Sequence, residues 1–142
     1  VTQDGLERFV RAQDEGGTYA TALTELRSGR KVSHWMWFVF PQLAGLGRSS
    51  TARFFALGSL AEAEDYLAHP VLGPRLREAA GVVAARPGVP AEDLLGPVDA
   101  LKLRSSMTLF ARAAPDEPVF RAVLDRCYGG RPDPATEQLL DG

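Results

Sequence analysis

Apolar residues recur along this chain at spacings of three and four, and runs that alternate apolar with polar are short and few. The pattern predicts an all-α fold. Leu6, Phe9 and Val10 mark a first short helix, and Tyr19, Leu23 and Leu26 a second that Gly29 closes. Ser33 is placed to cap a third. Pro41 must stop that helix after about two turns, because the residue before a proline is driven out of helical geometry. A tight loop, Gly45-Leu46-Gly47-Arg48-Ser49-Ser50, leads into a short apolar segment from Thr51 to Leu57. Ser59 and Glu62 read as a capping box for a helix ending near His69, and another helix is expected from about Val71 to Arg86. Arg86 to Pro90 reads as a linker turn. Asp99 is expected to open a helix reaching about Ala113, and Asp116 with Pro118 a helix ending at Gly129-Gly130. Asp133-Pro134 signals a last one, with the aspartate as cap and the proline as first helical residue. Nothing in composition divides the chain. The expectation is therefore one domain over 1–142, a compact multi-helix bundle with short helices and irregular packing.

Composition narrows the partners more than the fold. The chain is 45% hydrophobic, enough for one substantial core without disulfides or metals. Its net charge of -2 supplies no global basic field, so no binding to duplex nucleic acid is expected. No apolar run approaches the ~20 residues of a spanning helix, so no membrane partner is expected. The lone cysteine, Cys127, excludes an internal disulfide and fits a reducing, cytoplasmic location. His34 and His69 are the only histidines, and neither has a carboxylate pair at helical spacing. No metal and no cofactor are expected.

The densest chemistry lies in Lys31-Val-Ser-His-Trp-Met-Trp-Phe-Val-Phe-Pro-Gln42, which holds both tryptophans. On a helix, Trp35 and Trp37 cannot point the same way, so one is expected in the core. The other, beside His34, offers a flat face for a base or sugar. The alternative is that every aromatic is core filling. The glycine-flanked turn with Arg48 and Ser49 is a possible anion cradle or an ordinary solvated turn. A second constellation is Asp99-Ala-Leu-Lys-Leu-Arg-Ser-Ser-Met-Thr-Leu-Phe110. Leu103, Met107 and Phe110 form its core stripe. Ser105, Ser106 and Thr108 sit mid-helix, where hydroxyls compete with the backbone. Either they allow close helix approach, or with Lys102 they bind an anion. His69, before Pro70, reads as a cap at a helix C-terminus.

The segments SHWMWFVFPQLAGLGRSS, HPVLGPRLRE, DALKLRSSMTLFARA and FRAVLDRCYGGRPDPATEQLL resemble, over nearly the whole chain, an uncharacterised bacterial family of single-domain proteins often mislabelled calpastatin-like. That resemblance implies a compact all-helical fold and a cytoplasmic location, with no settled activity. Ser106-Met-Thr-Leu-Phe110, followed by an apolar helix, a glycine and an aspartate, is also similar to the C-terminal part of bacterial N-glycosidases that act on ribosylated amines and on ADP-ribose attached to guanine.

The functional expectation is a small hydrolase, an N-glycosidase in form, acting on a phosphorylated nucleoside or ADP-ribose-like ligand. Lys31, Arg48, Lys102 and Arg104 would contact phosphate, with Trp35 or Trp37 stacking. Ser49, Ser105, Ser106 and Gln42 would orient the ligand, and His34 or Asp99 would be the general acid or base. A non-catalytic nucleotide or anion module and a helical protein-interaction domain are the alternatives. The aromatic stretch and the Asp99 helix are expected to pack together. Lys31, His34, Arg48, Lys102 and Ser105 are expected to meet at one cavity.

Overall fold

The computed structural model describes residues 2–86 and 90–142. Its elements are α1 (Thr2–Asp14), a 3₁₀ turn (Glu15–Gly17), α2 (Thr18–Ser28), α3 (Met36–Val39), α4 (Ser50–Phe54) and α5 (Leu60–Ala68). They continue with α6 (Leu72–Ala85), α7 (Ala91–Leu95), α8 (Pro97–Ala113), α9 (Pro118–Tyr128) and α10 (Pro134–Asp141). Among the described residues there is no strand; a single parallel bridge joins Leu43 to Leu57. The fold is all-α.

Helix α8 is the axis of the assembly, in contact with α5, α7, α9 and α10, while α6 packs on α9, α5 and α2. Every residue from Ser105 to Phe110 is buried. A helix covered on all sides needs no single apolar stripe, which is why the serines and threonine stand among Leu103, Met107, Leu109 and Phe110. Edge-to-face and tilted ring contacts run across the bundle, from Phe9 to Tyr66 (5.2 Å between centroids), Tyr66 to Phe110 (5.5 Å) and Phe110 to Phe120 (5.7 Å). Beside them, the buried Gln13 amide donates to the Phe38 carbonyl (2.7 Å) and to Tyr66 Oη (3.2 Å), and accepts from Arg75. One amide thus ties α1, α3, α5 and α6 together.

Several boundaries follow the local signals. Gly29 ends α2 with φ 86, a left-handed cap that a β-carbon would strain. Ser59 accepts from the Glu62 backbone, and the Glu62 carboxylate reaches back to the Gly58 N–H. Asp133 caps α10 through the Thr136 N–H, with Pro134 following it. Some details differ from expectation, among them the start of α8, which lies at Pro97 after Gly96 and leaves Asp99 within the first turn. The third helix is one turn starting at Met36, because Ser33 donates its hydroxyl to Glu25 and caps nothing. His69 caps the end of α5 through its backbone N–H to the Tyr66 carbonyl, as expected, but its side chain also accepts from the backbone of Val71 and Leu72 at the start of α6. Glu117, not Asp116, occupies the cap position of α9. Helix α7, five residues between Pro90 and Gly96, was not anticipated; it buries Leu94 and Leu95. The expected linker turn falls largely on 87–89, outside the described residues.

The α5–α6 corner is tight enough to test. A β-carbon on Gly73 would collide with the Leu67 carbonyl, whereas one on Gly81, midway along α6, would meet nothing within 4 Å. Gly73→Ala is expected to destabilise the protein by ~1–3 kcal/mol through overpacking. Gly81→Ala should stabilise it by about 0.5–1 kcal/mol through reduced chain entropy. Urea denaturation of the pair checks both signs; equal effects would contradict the corner geometry.

Candidate functional site

The site begins with an acid that sequence inspection passed over. Glu25, on α2, accepts hydrogen bonds from the Val32 N–H (2.8 Å), the Ser33 N–H (2.9 Å), the Ser33 hydroxyl (2.6 Å) and Trp35 Nε1 (2.9 Å). Burial alone would raise its carboxyl. The donors outweigh burial, with those of Ser33 foremost, and hold it at about 2 instead of 4.5. This clasp bends the chain between α2 and α3 and turns Trp35 inward, where it is fully buried against Phe40. The Lys31 N–H then donates to the Leu94 carbonyl of α7 (2.6 Å), which brings the Lys31 side chain to the first turn of α8.

There Lys31 Nζ meets Asp99 Oδ2 at 2.8 Å, and Lys102 Nζ meets Asp99 Oδ1 at 3.5 Å. The side chains are 8% (Lys31), 18% (Asp99) and 23% (Lys102) exposed. Each ammonium also lies over an indole, Lys31 at 5.1 Å from the Trp35 centroid and Lys102 at 4.5 Å from that of Trp37. Two ammoniums share the Asp99 carboxylate in a largely desolvated corner, with the Glu25 carboxylate on the far side of Trp35. Trp37 is only half-buried, and His34, exposed, stands next to Trp35. The aromatic stretch and the Asp99 helix therefore pack together as expected, and the two tryptophans divide into one core residue and one rim residue.

The other candidate residues lie elsewhere or are already engaged. Ser105 Oγ donates to Asp133 Oδ2 at 3.0 Å, and Thr108 accepts from the Asp133 N–H at 2.8 Å. Their hydroxyls thus bind the cap of α10 and do not face Lys31. Arg104 donates to the Arg131 carbonyl (3.0 Å) and lies over Tyr128. Ser49 accepts from the Ala52 N–H as the cap of the five-residue α4. Arg48 is exposed in the loop before it. That loop leans on Leu139, toward the end of α10 that Arg112 anchors through Asp141, about 20 Å along α8 from Asp99. Gln42 takes part through its backbone carbonyl, which accepts from Leu57. Ser106, fully buried, makes no side-chain hydrogen bond among the described residues. Of the five side chains expected at one cavity, the structure joins Lys31 and Lys102, leaves His34 exposed nearby, and carries Ser105 and Arg48 away. Among the described residues no group of His, Cys, Asp or Glu is arranged to hold a metal ion. Burial raises the Cys127 thiol above its ordinary value, which disfavours a thiolate. No helix among the described residues is long and apolar enough to cross a membrane.

The Glu25 clasp predicts an acid signature. Its folded value lies below the ordinary one, so its stabilisation is complete above 4.5 and is lost as pH falls toward 2. Glu25→Gln should cost ~1–3 kcal/mol at neutral pH, as charge-assisted bonds become neutral ones. It should also flatten the loss of stability across that acid window. Denaturation curves at stepped pH decide this; parallel curves for the variant and wild type would contradict the clasp.

The chain is 51% identical to a solved structure, the conserved hypothetical protein Rv1873 from Mycobacterium tuberculosis, with 96% of each chain covered and a TM-score of 0.93. No curated protein matches it. The matched structure shares the all-helical arrangement described above, and its description assigns no activity. The chain belongs to the family described as protein of unknown function (DUF1810), whose model matches residues 3–140.

Proposed function

We propose that the protein binds a small phosphorylated ligand, nucleoside- or ADP-ribose-like, at the Lys31–Asp99–Lys102 corner beside Trp37. The observation that carries this reading is the pair of ammoniums gathered on the Asp99 carboxylate, one of them over the partly exposed Trp37 indole. Lys102, 3.5 Å from Asp99 and 23% exposed, is the ammonium placed to attract an anion. A ligand phosphate would bridge the two ammoniums and compete with Asp99 for them, while its base or sugar stacks on Trp37. The hydrolytic form of the reading, cleavage of an N-glycosidic bond, draws on the same competition. Once a phosphate takes the lysines, the Asp99 carboxylate is released to activate water or to stabilise positive charge developing on the sugar, with His34 at the rim to move a proton.

A protein-interaction role is the second reading, and exposed aliphatic residues favour it. Val32 (74% exposed), Val98 (64%) and Leu101 (64%) flank the Lys31–Asp99 bridge in sequence. An apolar rim around a charged centre is the make-up of a small docking surface.

Thermal unfolding of the protein with AMP, ADP-ribose and ribose 5-phosphate tests the first reading. A ligand at 100 times its Kd should add about 2.7 kcal/mol. Lys102→Gln should weaken binding by ~1–3 kcal/mol. No stabilisation by any of the three, or unchanged affinity in Lys102→Gln, would sink the site. Base release followed by chromatography separates enzyme from binder, with Asp99→Asn expected to abolish turnover while binding persists.

The tryptophans give an independent check of the same geometry. Trp35→Ala should cost ~3–5 kcal/mol of stability, as for a buried aromatic. Trp37→Ala should cost chiefly affinity. If calorimetry and unfolding show the two variants equally destabilised and equally competent to bind, Trp37 is core and the stacking role is lost.

A further inference from the structure

Away from the lysine corner, a cleft of about 440 Å³ opens between α1 and the end of α4, within the size range of small-molecule sites. Arg8 builds it. Its Nε donates to the Phe54 carbonyl (2.6 Å) and its Nη2 to the Ala56 carbonyl (2.8 Å), so this guanidinium is occupied in fastening the end of α4 to α1. Phe55 then packs its ring on Phe9 (5.6 Å between centroids) and Phe38 (5.2 Å). Phe54, edge-on to Phe55 at 4.8 Å, is left lining the cleft and 59% exposed. It is the only aromatic among the exposed large hydrophobic residues described. Glu7, Arg11 and Glu15 line the same cleft, at four-residue spacing along α1 and into the 3₁₀ turn. A glutamate four residues before an arginine on a helix is the arrangement in which surface ion pairs form. Among the described residues, none of these three side chains makes one. Two carboxylates and one guanidinium thus flank an aromatic wall without engaging each other.

We infer that this cleft binds a free aromatic α-amino acid. The ligand carboxylate pairs with Arg11, whose planar fork suits two oxygens, its ammonium lies beside Glu7 or Glu15, and its ring packs on Phe54 and Phe55. The spacing fits a zwitterion of that size. Residues four apart on a helix have β-carbons ~5–6 Å apart, so a carboxylate on Arg11 places the ammonium of the adjoining carbon next to a glutamate one turn away. Charge excludes simpler occupants. A phosphate would meet two glutamates for one available arginine, and an aliphatic polyamine reaching from Glu7 to Glu15 would have to cross Arg11. A second copy docked about a two-fold axis through this stripe would set Arg11 against Arg11 and Glu7 against Glu15, like charge on like. The cleft uses no residue of the Lys31–Asp99–Lys102 corner, and the inference stands apart from the reading of that corner.

Titration calorimetry of the full chain with phenylalanine, tryptophan, alanine, N-acetylphenylalanine and phenylalaninamide tests this. Phenylalanine or tryptophan should bind with a Kd of about 1 mM or tighter. Alanine and the acetylated and amidated forms should each bind about tenfold more weakly or worse, since each lacks one of the three contacts. Phe54→Ala and Arg11→Gln should each weaken binding of the aromatic amino acid about tenfold. Both should leave the ligand-free melting temperature nearly unchanged, because both side chains are exposed. Failure of wild type to bind either aromatic amino acid overturns the inference, as does unchanged affinity in Phe54→Ala or Arg11→Gln. Equal or tighter binding of the acetylated and amidated forms overturns it too, by assigning the cleft to a peptide segment instead. Phe54→Leu, which keeps an apolar side chain but removes the ring, is the second variant should alanine fail to fold, with the same loss expected.

Discussion

A helix buried on every side has no solvent against which to place its polar groups, and α8 is such a helix from Ser105 to Phe110. Each hydroxyl and charge along it must find a partner in another element or remain uncompensated. Much of the molecule is arranged around that requirement. Asp133, at the head of α10, takes the Ser105 hydroxyl and gives its own N–H to Thr108, so the cap of one helix also satisfies the interior of another. Tyr128 of α9 donates to the Ala100 carbonyl, and Arg104 reaches out to the Arg131 carbonyl. At its first turn, where burial is incomplete, α8 carries Asp99 and Lys102, and there it draws Lys31 in from the α2–α3 connection.

The connection can deliver Lys31 only because Glu25 organises it. Four donors converge on one carboxylate, two of them backbone N–H groups that would otherwise be unpaired in an irregular segment. The same clasp fixes Trp35 by its indole N–H, so the core aromatic and the site lysine are set by a single residue. Stability and site geometry are coupled at this point: loosening Glu25 frees both Trp35 and the approach of Lys31 to Asp99. Electrostatics gives the corner its character. In a chain of net charge -2, two ammoniums converge on one aspartate where desolvation makes their charge felt most strongly.

The sequence by itself determined the helical class, the single apolar assembly and those boundaries written in local chemistry. Gly29, the Ser59–Glu62 pair and Asp133-Pro134 act within one helical turn of themselves, so their effect is readable from neighbours in the chain. The Lys102–Asp99 contact, at i and i+3, is legible for the same reason. What only the tertiary structure decided is every pairing across long separations. Lys31 with Asp99, Ser105 with Asp133, and Gln13 with Phe38 and Tyr66 depend on how whole helices dock. The short third helix shows the limit most plainly. Ser33 carried a good local capping signal, yet its hydroxyl went to Glu25, because a carboxylate arriving from α2 is a stronger acceptor for it than any role at a one-turn helix. The aromatic stretch likewise could not reveal which tryptophan would be core. Trp35 is inside because Glu25 holds its N–H, and Trp37 is at the rim because Lys102 lies across it; periodicity encodes neither partner.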